Sequence, residues 1–75
     1  MNNREQIVTR YYGGDEIRKY IKDNGVLLWK VAEEYGVTDG NFSRRLRKRF
    51  SPREAQEIVM IVRRIKEREA LENDI

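Results

Sequence analysis

The sequence predicts an all-α fold, a small bundle of about four helices that contains a helix-turn-helix, with an extended N-terminal arm. Apolar residues recur at helical spacing, glycines stand where helical patterns end, and 39% of the 75 residues are charged. A chain of this length forms one small domain that buries only about 60–65% of its unfolded surface. We expect an arm over residues 1–14, a domain over 15–70 and a frayed tail over 71–75.

The N-terminal arm contains residues that favour an extended chain. Ile7, Val8 and Tyr11 lie in this stretch, and the Gly13-Gly14 pair interrupts it before the first helix. One interpretation is a frayed tail or a strand that covers the core. The alternative is a functional arm, either a strand exchanged within a dimer or a segment that lies along DNA.

The first helix is predicted over residues 15–24. Asp15 is the expected N-cap, and Ile17, Tyr20 and Ile21 form a short apolar stripe. An Asn-Gly pair at 24–25 ends the pattern. We expect this helix to pack against the two helices that follow.

The second helix is predicted over residues 28–35, where apolar residues recur at i, i+3, i+4 and i+7: Leu28, Val31, Ala32 and Tyr35. Gly36 follows directly, and a glycine can take the left-handed conformation that closes a helix. Val37 then returns an apolar side chain under the turn. Together these residues predict a short turn into another helix.

The third helix is predicted over residues 38–49. Thr38 is its expected N-cap, and Phe42, Leu46 and Phe50 recur at i, i+4 and i+8. The rest of its surface is polar and strongly basic. Two short helices that are joined by a glycine turn, with the second one basic, are typical of a unit that places a recognition helix in the major groove of DNA.

The spacing in this stretch resembles the helix-turn-helix of phage repressor and Cro-like proteins. The resemblance rests on a small residue, a glycine four positions later, an apolar residue directly after it, another six past the glycine, and a serine-arginine pair: Ala32, Gly36, Val37, Phe42 and Ser43-Arg44. It covers about a third of the chain closely. The resemblance implies a DNA-binding repressor from a phage or mobile element and a cytoplasmic location.

Positive charge is concentrated where this resemblance lies. Six basic residues and one acidic residue stand between Thr38 and Arg53, so this segment carries a net charge of +5 whereas the whole chain carries +3. Lysine and arginine displace the counterions condensed on phosphates, which gives affinity for any DNA sequence. A charge run of this kind is often only a solvated helix face, but here it follows the glycine turn and therefore favours DNA.

The candidate DNA contacts divide into two groups. Arginine can bind guanine and asparagine can bind adenine through two hydrogen bonds each, so we expect base reading by Asn41, Ser43, Arg44 and Arg47. We expect phosphate contacts from the residues around them: Thr38, Lys30, Trp29, Lys48, Arg49 and Arg53. Arg45 lies nearer the apolar side, and its stem is expected to cover Leu46 or the last helix.

Trp29 falls outside the apolar face of the second helix. One interpretation is that the indole packs on the N-terminal arm or on the final helix. The other is that its N–H contacts a DNA phosphate, because the start of this helix usually lies against the DNA backbone.

The last helix is predicted over residues 52–70. Ser51, Pro52 and Glu54 form a capping box with proline at the first helical position. The apolar residues that follow span an arc of about 160°, which is wider than one neighbouring helix needs. The arc either covers only the core of its own chain or forms part of a twofold homodimer contact, with Met60, Ile61 and Ile65 as candidates.

No enzyme or metal site is expected. The chain has no cysteine and no histidine, and the neighbouring Glu33 and Glu34 point about 100° apart on a helix. We therefore expect no cofactor and no small-molecule ligand, and no apolar run predicts a membrane span or a signal peptide.

Three functions remain open at this level. The first is a transcriptional regulator that reads double-stranded DNA as a homodimer. The second is a DNA-binding accessory factor for recombination, replication or plasmid transfer. The third is a protein-interaction module that uses the C-terminal helix.

The predicted core is drawn from all four helices and the turn. Its members are Ile17, Tyr20, Ile21, Leu28, Val31, Ala32, Val37, Phe42, Leu46, Ile58 and Val62.

Overall fold

The computed structural model describes the backbone of residues 11–73 and the side chains of residues 11–72. The described chain has four helices and one pair of very short strands. In order they are β1 (Tyr12–Gly13), α1 (Gly14–Asp23), α2 (Leu28–Tyr35), α3 (Asp39–Arg45), β2 (Arg49–Phe50) and α4 (Pro52–Asn73). The predicted all-α bundle is confirmed. Residues 1–10 of the predicted arm and residues 74–75 of the predicted tail lie outside the described residues.

Helix α1 begins one residue before the predicted start. Gly13 is the N-cap, and its N–H donates to the Glu16 carboxylate at 3.0 Å, so Asp15 is not the cap as predicted. At the other end, the Asn24 side-chain amide donates to the Tyr20 carbonyl at 2.8 Å. Gly25 then takes a positive φ of 72°, which turns the chain into the segment before α2.

The two strands join the start of the described chain to the segment after α3. They are antiparallel, with Tyr12 opposite Phe50 and Gly13 opposite Arg49. The last residues of the predicted arm, Tyr12–Gly13, therefore form a strand within the chain's own fold. A strand was one of the interpretations of the arm. This pairing fixes where the chain leaves α3.

Gly14 marks the closest approach between α1 and the end of α3. A Cβ atom at this position would lie 1.7 Å from the carbonyl oxygen of Leu46 and 2.4 Å from its carbonyl carbon. No side chain can occupy that space without a shift of the backbone. Gly14 therefore allows contact between two backbones.

The core draws on all four helices and the strands. Eight predicted members are buried, namely Ile17, Ile21, Val31, Ala32, Phe42, Leu46, Ile58 and Val62, whereas Tyr20, Leu28 and Val37 are partly buried and pack against them. The core also contains residues that were not predicted as members: Val26, Phe50, Ala55, Ile61 and Ile65.

Burial of Ile61 and Ile65 corrects the predicted dimer contact. Their exposed fractions are 3% and 2%, because both side chains pack into the chain's own core. The wide apolar arc of α4 is thus covered largely within the chain. Of the three candidates, only Met60 is exposed.

Helix α4 has the predicted capping box and is longer than predicted. The Ser51 N–H donates to Glu54 at 2.9 Å, and the Glu54 N–H donates to the Ser51 hydroxyl at 3.1 Å. The helix continues to Asn73, so the prediction of fraying after residue 70 is wrong for 71–73. Three polar contacts tie its last turns to the rest of the chain: Lys30–Glu69, Arg68–Glu34 and Lys66–Asn24.

Candidate nucleic-acid interface

The turn between α2 and α3 has the predicted construction. Gly36 adopts a left-handed conformation with φ 91° and ψ 25°, where a side chain would be strained. Its N–H donates to the Ala32 carbonyl at 3.0 Å, and the Val37 N–H donates to the same oxygen at 3.0 Å. These bonds satisfy the end of α2 and direct the chain into α3.

Helix α3 is anchored by one aromatic residue and one cap. Phe42 is fully buried, and its ring lies 5.8 Å from that of Tyr35 between centroids. The Thr38 hydroxyl accepts the N–H of Asn41 at 3.1 Å, which confirms Thr38 as N-cap. With Phe42 facing inward, Asn41, Ser43 and Arg44 lie on the exposed side of the helix.

Helix α3 ends at Arg45, so the predicted helix over 38–49 is too long. Leu46 is the C-cap, and the next two N–H groups form tighter i−3 bonds, from Arg47 to Arg44 and from Lys48 to Arg45, each at 3.1 Å. Gly14 against Leu46 and the pairing of β2 with β1 draw the chain away from the helix axis. The basic run is therefore divided between a helix, a turn and a strand.

Arg45 connects the end of α3 to β2 and α4. Its guanidinium donates to the Arg49 carbonyl at 3.0 Å and to Glu54 at 2.7 Å, and it lies 4.2 Å from the centre of the Phe50 ring. The stem was predicted to cover Leu46 or the last helix; the observed contacts are those of the guanidinium, which lies over Phe50 and reaches Glu54 of α4. The ion pair with Glu54 was not predicted, because the two residues belong to different elements and no helical spacing relates them.

The environment of Glu54 favours its charged form. The hydrogen bond from the Ser51 N–H lowers the pKa of the Glu54 carboxyl most, and the hydrogen bond from Arg45 lowers it further. One carboxylate thus caps α4 and neutralises the arginine that ends α3.

Three candidate contacts meet on one side of α3. Asn41, Arg44 and Lys48 surround a shallow depression whose remaining edge is formed by Arg45. The Arg44 guanidinium lies 3.4 Å from the side-chain oxygen of Asn41. The turn after α3 brings Lys48 beside the two residues that were predicted to read bases, rather than one turn further along the same helix.

The other basic residues that were predicted to contact DNA lie after α3, in the turn, in β2 and at the start of α4. Arg47 is exposed in the turn, Arg49 is exposed in β2, and Arg53 is exposed in the first turn of α4. Arg47 therefore does not continue the face of α3 as predicted for a base-reading residue. Its position groups it with the residues predicted to contact phosphate.

Trp29 and Lys30 lie in a different environment. Lys30 forms an ion pair with Glu69, and its ammonium lies 5.8 Å from the centre of the Trp29 ring. Both residues line a groove between α2 and α4, together with Glu33, Glu34, Ile65, Arg68, Glu69 and Glu72. Four carboxylates line this groove and two of them pair with Lys30 and Arg68, so a net negative charge remains, which disfavours a phosphate. These surroundings do not favour the phosphate contacts of Trp29 and Lys30, which stay a prediction. Trp29 is half-exposed and shares the groove with side chains of α4.

Gly40 contributes open space to the exposed side of α3. A Cβ atom at this position would meet nothing within 4 Å, so packing within the chain does not require a glycine there. The missing side chain leaves the backbone of the first turn accessible to a ligand.

Comparison with known proteins adds no relative, because no family model, no curated protein and no solved structure matches the chain. Within the described residues, no helix is long and apolar enough to cross a membrane. Among the same residues, no group of three or more acidic side chains is arranged to hold a metal ion.

Proposed function

We propose that this protein binds double-stranded DNA in a sequence-specific manner and places α3 in the major groove. The observation that carries the proposal is that Asn41 and Arg44, on the exposed side of α3, and Lys48, in the turn that follows, surround one shallow depression. These side chains include the residue types that bind adenine and guanine through paired hydrogen bonds.

The dimensions of α3 support this assignment. The helix has seven residues, which corresponds to a length of about 10 Å at the usual rise per residue. Its side chains can therefore reach about three base pairs, at about 3.4 Å each, along a major groove that admits an α-helix. The open backbone at Gly40 permits a close approach at its leading end, where side chains commonly reach base edges.

The surrounding basic residues account for affinity rather than specificity. Arg47, Arg49 and Arg53 are exposed on the three consecutive segments after α3, so they are available to contact phosphates beside the groove. With Lys48 they provide four basic side chains, which corresponds to a salt slope of about −3 to −4 for each bound copy.

We infer that two copies act together on an inverted repeat with half-sites about 34 Å apart, since one short helix reads few base pairs. By its resemblance to phage repressor and Cro-like proteins, the protein is best described as a transcriptional regulator, a repressor that acts in the cytoplasm by occupying its site. An accessory role in recombination, replication or plasmid transfer would use the same interface.

Selection of bound fragments from random duplex DNA, followed by salt titration, tests the proposal. We expect one enriched motif and an affinity that falls steeply with salt. Lys48→Glu should weaken binding to every duplex by more than about tenfold, because a phosphate contact becomes a repulsion.

The matched control is Lys22→Glu, the same change at an exposed position on α1. It should weaken DNA binding far less than Lys48→Glu. Equal losses for the two variants, or no enriched motif, would argue for a protein-interaction module whose basic surface binds an acidic partner.

A further inference from the structure

The outer face of α4 carries two exposed apolar side chains on a helix that is otherwise polar outside. Met60 and Leu71 have exposed fractions of 58% and 69%. Arg64 and Glu67 lie between them and are also exposed. The spacing of these four residues is four, three and four, so they form one stripe along the helix. We call this stripe the outer stripe of α4.

The outer stripe lies on the side of α4 that faces away from the core. The buried side of α4 consists of Ala55, Ile58, Ile61, Val62 and Ile65. The stripe is centred about 150° from this side at 100° per residue. Within the described residues, neither Arg64 nor Glu67 forms an ion pair. Both charges are thus available to a partner.

The end of α4 is held to its own chain by polar contacts and not by apolar packing. Beyond Ile65, no described side chain is buried, although the helix continues to Asn73. Short helical segments without tertiary packing are marginal in water. A partner on the outer stripe would stabilise these last turns.

The geometry points to a second copy of this chain, whose α4 packs antiparallel on the outer stripe. When the two helices are aligned so that Met60 of one copy lies opposite Leu71 of the other, Arg64 lies opposite Glu67. The twofold axis repeats both pairs, so the stripe complements itself in shape and in charge. In the heptad pattern this alignment places each a position opposite a d position, which is the usual antiparallel arrangement.

Other symmetric alignments lack this complementarity. An alignment centred on Arg64 places two like charges opposite each other, which is unfavourable. One centred on Met60 leaves both copies of Leu71 in water. The alignment of Met60 with Leu71 is the one that covers both exposed apolar residues and pairs both charges.

This surface deepens the proposed function, since it rests on the proposal that two copies act together, but it does not require DNA. The contact is small, so the free dimer is weak and DNA strengthens it by holding two copies side by side. It also replaces the predicted contact through Ile61 and Ile65, which the core of each chain already buries.

Disulfide exchange between single-cysteine variants tests the alignment, because the natural chain has no cysteine. Met60→Cys and Leu71→Cys chains are mixed in equal amounts in a glutathione redox buffer, without DNA, and the disulfide-linked products are separated by mass. We expect the mixed disulfide to exceed the two symmetric ones together by about fivefold, because only the mixed pair falls within bonding distance. Two Met60→Cys positions would be offset by about 16 Å along the helices.

A charge cycle tests the polar pairs in the same assay. Arg64→Glu or Glu67→Arg alone should reduce the mixed disulfide to the statistical proportion, because each sets like charges opposite one another. The double variant should restore it. Lys22→Glu is the control, with the same reversal of charge on α1 and no expected effect.

A statistical mixture in the natural background, or a dominant Met60→Cys homodisulfide, would overturn the proposed alignment. Binding of the cysteine-free protein to a single selected half-site is measured separately. If the cysteine-free protein did not bind DNA but the mixed disulfide still dominated, the DNA proposal alone would be contradicted. If the protein bound the half-site but the disulfides formed a statistical mixture, the outer stripe alone would be contradicted.

Discussion

Arginine residues that are adjacent in the sequence take different parts in this molecule. Arg44 points into solvent beside Asn41, whereas Arg45 stacks on Phe50 and pairs with Glu54. The difference follows from the 100° rotation between successive helical residues, which turns one side chain outward and the next toward α4. A basic run therefore overstates the charge that is free to meet a ligand.

Two glycines provide a matched pair of substitutions. Gly14→Ala would place a Cβ atom 1.7 Å from the Leu46 carbonyl oxygen, whereas Gly40→Ala meets nothing within 4 Å. We expect Gly14→Ala to lower the free energy of unfolding by about 3 kcal/mol or more, since the backbones must separate. Gly40→Ala should raise it by up to about 1 kcal/mol, because alanine favours the helix.

Urea denaturation of both variants measures these changes. If Gly14→Ala retained the natural stability, then the close contact between α1 and Leu46 would be wrong. The same Gly40→Ala protein can be tested for DNA affinity, where a loss despite improved stability would indicate close approach of the backbone to DNA.

The Glu54 carboxylate makes stability depend on pH in a defined direction. Its pKa is lower in the folded chain, because the Ser51 N–H and then Arg45 favour the charged form. The stabilisation is therefore fully present above the carboxyl's unfolded pKa and is lost as the pH falls through the lower folded value.

We expect Glu54→Gln to flatten the decline in the free energy of unfolding on the acid side of pH 5. Denaturation of the natural chain and the variant between pH 2 and 7 measures this difference. Glu57→Gln changes an exposed glutamate of the same helix and serves as the control. An equal change in slope for the two variants would show that Glu54 has no special part in acid stability.

At the scale of elements, local patterns predicted the beginnings of helices better than their ends. Thr38 and the Ser51–Glu54 capping box act within a few residues, so the sequence shows them directly. The end of α3 depends on Gly14 and β1, which lie more than thirty residues earlier in the chain. No periodicity within residues 38–49 carries that information.

The same distinction applies to the candidate interface. Asn41, Ser43 and Arg44 were placed on the exposed side of α3 correctly, because their positions follow from the helix itself. The glutamates around Lys30 and Trp29 were not foreseen, because they come partly from α4. Contacts between elements that are distant in the sequence decide which charges are neutralised. Such contacts cannot be read from the local patterns of a single sequence.

Truncation of α4 separates its buried half from its exposed end. A chain that ends at Lys66 loses the Lys30–Glu69 and Arg68–Glu34 pairs but no buried side chain. We expect the free energy of unfolding to fall by no more than about 1–2 kcal/mol, since exposed ion pairs contribute little. A chain that ends at Met60 also loses Ile61, Val62 and Ile65, and it should not fold.

Circular dichroism and urea denaturation of dilute samples distinguish the two truncated chains. Unfolding of the chain that ends at Lys66 would show that the last turns stabilise the domain more than their exposure suggests.

At the scale of the whole molecule, the candidate interface is the surface where basic side chains are concentrated. Exposed basic residues follow one another from α3 through β2 into α4, whereas glutamates gather around the groove between α2 and α4. Such a distribution orients the molecule toward a polyanion before contact and raises the rate of encounter. Base reading by α3 would then supply the preference for one sequence.

The ratio of specific to nonspecific DNA affinity in Arg44→Ala tests the central claim most directly. Arg53→Ala is the matched control, an exposed arginine at the start of α4. We predict that Arg44→Ala lowers the affinity for the selected duplex by about 1–3 kcal/mol and relaxes the preference at one base pair. Arg53→Ala should weaken all duplexes alike and reduce the salt slope by about one. An unchanged ratio in Arg44→Ala would contradict base reading by this face of α3.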